Sequence, residues 1–321
     1  MIELQKKIDK HIAKSLYPGV EWKINHRGNI FQGKSGYLNI NKKEPIIDNS
    51  IYRIWSMTKP IVSIVALQLL EENKISLNDP ITNYLPEFIN LKVLESRSSD
   101  ISNIVNIKKM PTIKDLLSHT AGFSYNFMND AVGREYDRIK LFHSDTTTLT
   151  EEINLLATLP LLYQPSDEWV YSVSVDVMAR IIEVTTNTSL QLELKKRIFD
   201  PLEMSDTSFT VESKNHDRLM THYEFDPLNK KLHDPLISSQ KISGFGYPLN
   251  QLTYARGGHG LFSTLEDYSK FAQMLLDGKS IKGKSIISKS MLSLASTNHL
   301  DLKFLPLEIK TFDVEVLEEN G

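Results

Sequence analysis

A chain of 321 residues with 40% hydrophobic and 24% charged content is long enough to bury a sizeable core, as one large domain or two. Its 37 basic and 40 acidic residues leave a formal net charge of -3, which gives no electrostatic ground for nucleic acid or an anionic membrane as partner. With no cysteine, disulfides, thiol catalysis and cysteine-ligated metals are excluded.

Met1 to Lys7 carries its charges without an apolar run behind them, and no window approaches ~18 uninterrupted apolar residues, so a cytoplasmic product is expected unless a leader has been removed. Leu4, Ile8, Ile12 and Leu16 recur every four residues and predict an amphipathic helix ending before Pro18-Gly19. Val20 to Ile24 and Ile30 to Ile40 read as strands joined through Asn25 to Asn29, and they are expected to pack against the helix that follows.

That helix opens at Ile54-Trp55-Ser56-Met57-Thr58-Lys59-Pro60 and continues as Ile61 to Leu70, a run too apolar for a surface helix and so expected to be buried on nearly all sides. Pro60 places the helix start within about two residues of Ser56, because proline is tolerated in a first turn and not in an interior. Positions i and i+3 share a face, so Ser56 and Lys59 would put a hydroxyl and an amine on one turn. The helix start adds free backbone N–H groups and the positive end of the dipole, which suit an oxyanion. A capping serine with a snorkelling lysine accounts for the same residues, and on this pattern alone both readings stand. The second Ser-x-x-Lys, Ser238 and Lys241, lies in a polar stretch flanked by turn residues and reads as solvated loop.

Leu77-Asn78-Asp79-Pro80 breaks the pattern, Tyr84 to Phe88 is irregular, and Glu95 to Lys109 reads as a polar surface excursion. Pro111 to Leu117 forms a short helix that stops at Ser118-His119-Thr120-Ala121-Gly122. His119 reads as structural, since no carboxylate or nucleophile accompanies it at readable spacing. Phe123, Tyr125 and Phe127 alternate and fit a substrate-pocket wall as well as a covered core face. Thr150 to Leu159 is a further helix, followed by a loop from Pro160 to Trp169. Tyr171-Ser172-Val173 then enters a second buried helix marked by Val175, Val177, Met178, Ile181 and Ile182. Alone, Tyr171 fits a core residue with a satisfied hydroxyl, and beside Ser56 it fits a phenol that shuttles a proton.

Thr188 and Gln191 form a capping box for a helix through Phe199, closed by Asp200-Pro201. Gly257-Gly258-His259-Gly260 leads into Leu261 to Thr264 and a helix through Leu276, without the spacing of a nucleotide cradle. No H-E-x-x-H, metal-ligand histidine spacing, G-x-S-x-G elbow or internal repeat occurs, so no metal or cofactor is expected.

Ser56-Met57-Thr58-Lys59-Pro60, Leu77-Asn78-Asp79-Pro80, Tyr84-Leu85-Pro86-Glu87-Phe88, Leu116 to Gly122, Tyr171-Ser172, Asp200-Pro201-Leu202-Glu203-Met204 and Gly257-Gly258-His259-Gly260-Leu261 resemble, in order and spacing, the class C β-lactamase-like serine hydrolases, most nearly their carboxylesterase branch. The resemblance covers roughly residues 17 to 300 and implies an α+β, β-lactamase/transpeptidase-like fold, with an antiparallel sheet flanked by helices and a mostly helical region facing it. It implies one unit over 1–321, with an α/β part at about 1–60 and 240–321 and the helical region over 61–239.

Carried onto this chain, the resemblance makes Ser56 the acylated nucleophile, Lys59 the partner that keeps it deprotonable, Tyr171 the proton shuttle and the Ser56 N–H one oxyanion donor. Lys59 serves as base only when neutral; alternatively Tyr171 acts as phenolate beside a charged Lys59. Phe123, Tyr125 and Val173 are the expected substrate-binding residues. Val173 stands where the lactamases of the family carry asparagine, and this tilts the expected substrate from a β-lactam to a small ester. A β-lactamase, a D-amino-acid peptidase and a non-catalytic remnant or binding protein are the alternatives. The family's late Lys-Thr-Gly-type strand has no counterpart in place, and Lys34-Ser35-Gly36 matches it by letters only. A C-terminally truncated form, weak or inactive and with an open sheet edge, is therefore expected.

Overall fold

The computed structural model describes residues 1–142, 147–226, 229–233 and 255–307. Ser238 and Lys241, and the C-terminal stretch on which the expected truncation was read, lie outside the described residues.

Helix α1 (Ile2–Ala13) keeps its four-residue apolar spacing but buries none of its residues. The chain enters β1 (Gly19–His26), which pairs antiparallel with β2 (Asn29–Asn39) from Gly19 opposite Gly36 to His26 opposite Asn29, and β2 pairs with β3 (Glu44–Pro45). Arg27 (φ 52°) and Gly28 (φ 84°) supply the two left-handed residues that a tight hairpin of matching twist requires. Trp22 ties the hairpin to α1 by donating its indole N–H to Gln5 Oε1 at 2.9 Å.

Strand β4 (Ile51–Arg53) and a single turn at Trp55–Met57 lead into α2 (Thr58–Glu71), which buries ten of its fourteen residues. Pro60 is the third residue of α2, inside the first turn as its missing N–H demands. A hairpin of β5 (Lys92–Leu94) and β6 (Ile104–Asn106) narrows the polar excursion to the link between them. Next come α3 (Ile113–Leu117), α4 (Ala131–Arg138), α5 (Leu149–Leu156), α6 (Ser174–Thr186), α7 (Leu190–Leu194) and α8 (Asp200–Leu202). A hairpin of β7 (Glu224–Asp226) and β8 (Lys231–His233) precedes β9 (Phe262–Thr264), α9 (Leu265–Asp277) and α10 (Lys289–Ser296).

Strand β9 pairs antiparallel with β4, Arg53 opposite Phe262, so a late segment closes against the entrance to α2. The principal neighbours of α2 are α6, α7 and α10, whereas the β1–β2 hairpin meets α1 and α9; the expected packing of the hairpin on the Ser56 helix is corrected accordingly. An α-helix apolar on nearly every side needs other apolar helices around it, while half-exposed strands are covered by amphipathic ones. The predicted capping box is also corrected. Asn187 ends α6 in the left-handed conformation (φ 52°), and this brings Glu183 of α6 onto the first N–H of α7, Leu190, at 2.9 Å. The Thr188 hydroxyl turns back to the Thr186 carbonyl instead, and Gln191 Oε1 is left buried without a partner.

The core around α2 is one continuous cluster in which Leu69 is fully buried. Leu69→Ala is expected to lower unfolding stability by about 2–5 kcal/mol, through lost transfer energy plus the cavity left behind. Urea denaturation followed by circular dichroism checks this; a loss under about 1 kcal/mol would mean that the helices collapse onto the gap. Among the described residues no helix is long and apolar enough to cross a membrane.

Candidate active site

The approach to Ser56 is a sharp bend. Ile54 donates its N–H to the Leu261 carbonyl at 3.0 Å, holding the end of β4 to the late segment, and Trp55 then adopts a left-handed conformation at φ 45°. A bulky residue there costs of order 1–3 kcal/mol and persists only where its surroundings enforce it. The bend leaves Ser56 exposed at the mouth of α2, and Met57, whose carbonyl accepts the Tyr268 hydroxyl at 3.1 Å, caps that helix without a side-chain bond. Ser56 is thus not a capping serine.

Lys59, one helical turn on, is 7% exposed and donates to Ser56 Oγ at 3.1 Å, Tyr125 Oη at 3.0 Å and the Gly258 carbonyl at 2.8 Å. It also lies over the Tyr125 and Tyr171 rings, 5.0 and 4.7 Å from their centroids. Tyr171 Oη donates to Ser56 Oγ at 2.8 Å. Three oxygens match the three protons of an ammonium; a neutral amine could keep two of these bonds and accept the Ser56 proton on its lone pair. The same arrangement therefore accommodates either assignment of the base. Burial, then the nearby Asp176 and Tyr171 oxygens, push the Tyr125 hydroxyl well above its ordinary range, so Tyr125 stays a phenol.

Three carboxylates fix the loops behind these groups. Asp115 accepts from Thr112, Thr120 and Ser166, which shapes the turn carrying His119. Asp130 accepts from Ser124 Oγ and the Gly133 N–H, each at 2.7 Å, and anchors the segment carrying Tyr125. Asp176, on the first turn of α6, accepts the Gly258 N–H at 2.8 Å. A side chain on Gly257 would overlap the Val175 carbonyl, and one on Gly258 would overlap Asp176 and Tyr125. These glycines serve close approach of the turn to α6.

His119 adopts φ 57° and accepts the Ser172 N–H on Nδ1 at 3.2 Å, with its ring 4.9 Å from that of Tyr171. Enclosure by its neighbours and then the Lys59 charge lower its pKa to about 3, so it is a neutral prop for the Tyr171 segment.

The residues expected to bind substrate separate. Tyr125 stacks on Phe127 at 4.8 Å and lies 5.4 Å from Tyr171, at the back of the site. Phe123, 1% exposed, packs edge-on to Phe88 in the core, and Val173, 2% exposed, donates its N–H to the Ser124 carbonyl. Both are covered by protein, and the expectation that they touch substrate is corrected on that ground. Lys34 pairs with Asp48 on the first hairpin. Trp55 lies against His222 and His259, and a cavity of about 330 Å³ opens beside Tyr171, lined by Met128, Trp169, Val170 and Phe304. Asp176 and the Gly258 carbonyl were missed from sequence; the only signals were an acid in the first turn of a buried helix and an unexplained glycine pair.

A family model described as Beta-lactamase matches residues 4–300. The chain is 32% identical over 243 residues to Protein Rv1367c of Mycobacterium tuberculosis, covering 75% of this chain and 57% of that protein. It is 31% identical over 254 residues to the lovastatin esterase of Penicillium rubens, covering 78% and 61% respectively. It therefore spans about three-fifths of the length of these curated relatives. Among solved structures, unliganded simvastatin synthase (LovD) from Aspergillus terreus superposes with a TM-score of 0.75 at 23% identity, over 94% of this chain and 74% of that one. EstCE1, a hydrolase with promiscuous acyltransferase activity, gives 0.74 at 24% identity, over 94% and 78%. These superpositions establish the β-lactamase/transpeptidase-like fold.

Proposed function

The chain belongs to the beta-lactamase family of serine hydrolases, and on that premise we propose that it is a carboxylesterase acting on small esters through an acyl-enzyme on Ser56. The observation that carries this reading is the convergence of Lys59 Nζ and Tyr171 Oη on one exposed hydroxyl, at 3.1 and 2.8 Å. In acylation, Ser56 Oγ bonds to the ester carbonyl carbon while its proton passes to the Lys59 and Tyr171 pair. The tetrahedral oxyanion forms near the start of α2, where the Ser56 N–H is the proposed donor; such a donor is worth ~10²–10³ in rate. Collapse breaks the carbonyl–alkoxide bond, and the alkoxide leaves with the proton held by the pair. Water repeats the sequence on the acyl-enzyme, releasing the acid and restoring the Ser56 hydroxyl. An alcohol in place of water would complete an acyl transfer by the same steps.

Two features favour an ester over a β-lactam. Val173 offers no side-chain amide and is buried, and one relative of 31% identity is named an esterase. Short-chain p-nitrophenyl esters are expected to be hydrolysed with kcat/KM at least about 10²-fold above that for a chromogenic cephalosporin, a difference of about 2.7 kcal/mol in transition-state binding. Parallel steady-state assays check this, and preferential cephalosporin turnover would reverse the substrate assignment.

A further inference from the structure

We propose that Asp176 is a positioning residue for Lys59, acting through the Gly258 peptide and the Tyr125 hydroxyl. This rests on the acyl-enzyme reading, since it concerns how the amine beside Ser56 is held. Asp176 is fully buried on the first turn of α6. An acid there commonly caps its own helix or offsets the helix dipole. In this chain α6 has no side-chain cap, and Asp176 Oδ1 reaches out of the helix to the Gly258 N–H at 2.8 Å.

The carbonyl of that same glycine accepts Lys59 Nζ at 2.8 Å. One peptide unit therefore links the carboxylate to the amine. The second oxygen, Oδ2, is buried beside the Tyr125 hydroxyl, and a side chain on Gly258 would overlap both. That hydroxyl accepts Lys59 Nζ at 3.0 Å. Each path from Asp176 to Lys59 passes through one residue, Gly258 on the first and Tyr125 on the second.

A buried carboxyl group is costly, and packing alone would be served by an apolar side chain of similar size. Burial raises its pKa, while the Lys59 charge, the Gly257 and Gly258 N–H groups and Arg256 all favour the ionised form. Asp176 thus faces Lys59 across the glycine turn and holds fixed the carbonyl on which Lys59 rests. Without that anchor the turn is free to rotate its carbonyl away, and the long Lys59 side chain loses its only main-chain contact among the described residues.

Asp176→Ala is expected to lower kcat on a p-nitrophenyl ester by about a hundredfold, with KM within about threefold. Asp176→Asn keeps an acceptor for the Gly258 N–H and is expected to recover at least about tenfold of that loss. Crystal structures of both variants should show Lys59 Nζ beyond hydrogen-bond distance of Ser56 Oγ in the alanine protein and returned to it in the asparagine protein. Wild-type kcat in folded Asp176→Ala, or Lys59 unmoved in its structure, would overturn the proposal. Should neither variant fold, Tyr125→Phe removes one of the two paths without touching α6, and it is expected to displace Lys59 and lower kcat about tenfold; an unmoved Lys59 overturns the proposal there too. Wild-type protein that forms no adduct on Ser56 would instead defeat the hydrolase reading, and the position of Lys59 in the crystals still decides the role of Asp176.

Discussion

Ser56→Ala is expected to lower kcat/KM for p-nitrophenyl esters by about 10⁴-fold or more, a loss of at least about 5.5 kcal/mol in transition-state stabilisation. The same substitution should abolish the mass increase that a fluorophosphonate leaves on the wild-type protein. The expected loss is large because Ser56 Oγ is, among the described residues, the only atom on which Lys59 and Tyr171 both converge, and without it neither has a nucleophile to serve. Stability should change little. Ser56 is exposed and caps no helix, so the alanine variant leaves no orphaned helix N–H behind. Intact mass spectrometry of both proteins after labelling, with circular dichroism to establish folding, decides the matter. A folded wild type that takes no adduct, or an adduct that persists in Ser56→Ala, would leave the chain as a binding protein built on a hydrolase fold.

The parts of this site that lie close together in the chain were legible beforehand. Ser56 and Lys59 are one turn apart, and the apolar run behind them allowed only a buried helix. Pro60 set where that helix begins. The first hairpin was equally readable, because Asn25 to Asn29 separate two runs of strand-forming residues. What failed was contact across long separations. Gly258 and Asp176 are 82 residues apart, and neither residue type announces a partner. Phe123, Tyr125 and Phe127 alternate as on a strand, yet the segment is irregular, so Phe123 turns into the core while Tyr125 and Phe127 stack beside Tyr171. Period-2 spacing places side chains on one face only when the backbone is extended. The capping box failed for a related reason, since Glu183 from the preceding helix takes the Leu190 N–H at the start of α7 and the Thr188 hydroxyl turns back to the Thr186 carbonyl.

Tyr171→Phe and Lys59→Met are each expected to lower kcat by ~10²–10⁴, and the double variant should be no slower than about tenfold below the worse of the two. Both groups bond to the same oxygen and serve one proton route, so removing either breaks it and removing the second takes little more. Their structural consequences should differ. Phenylalanine keeps the ring that packs against His119 and Tyr125, and the lost hydroxyl sits at the exposed mouth of the site. Methionine in place of Lys59 strands the Gly258 carbonyl and the Tyr125 hydroxyl in a buried setting, which costs about 1–3 kcal/mol for each group left unsatisfied. Tyr171→Phe is therefore the cleaner kinetic probe, and Lys59→Met should show a lower urea midpoint alongside its rate loss. Losses that simply multiply in the double variant would mean that Lys59 and Tyr171 act in separate steps, and that their shared contact with Ser56 is not a shared proton path.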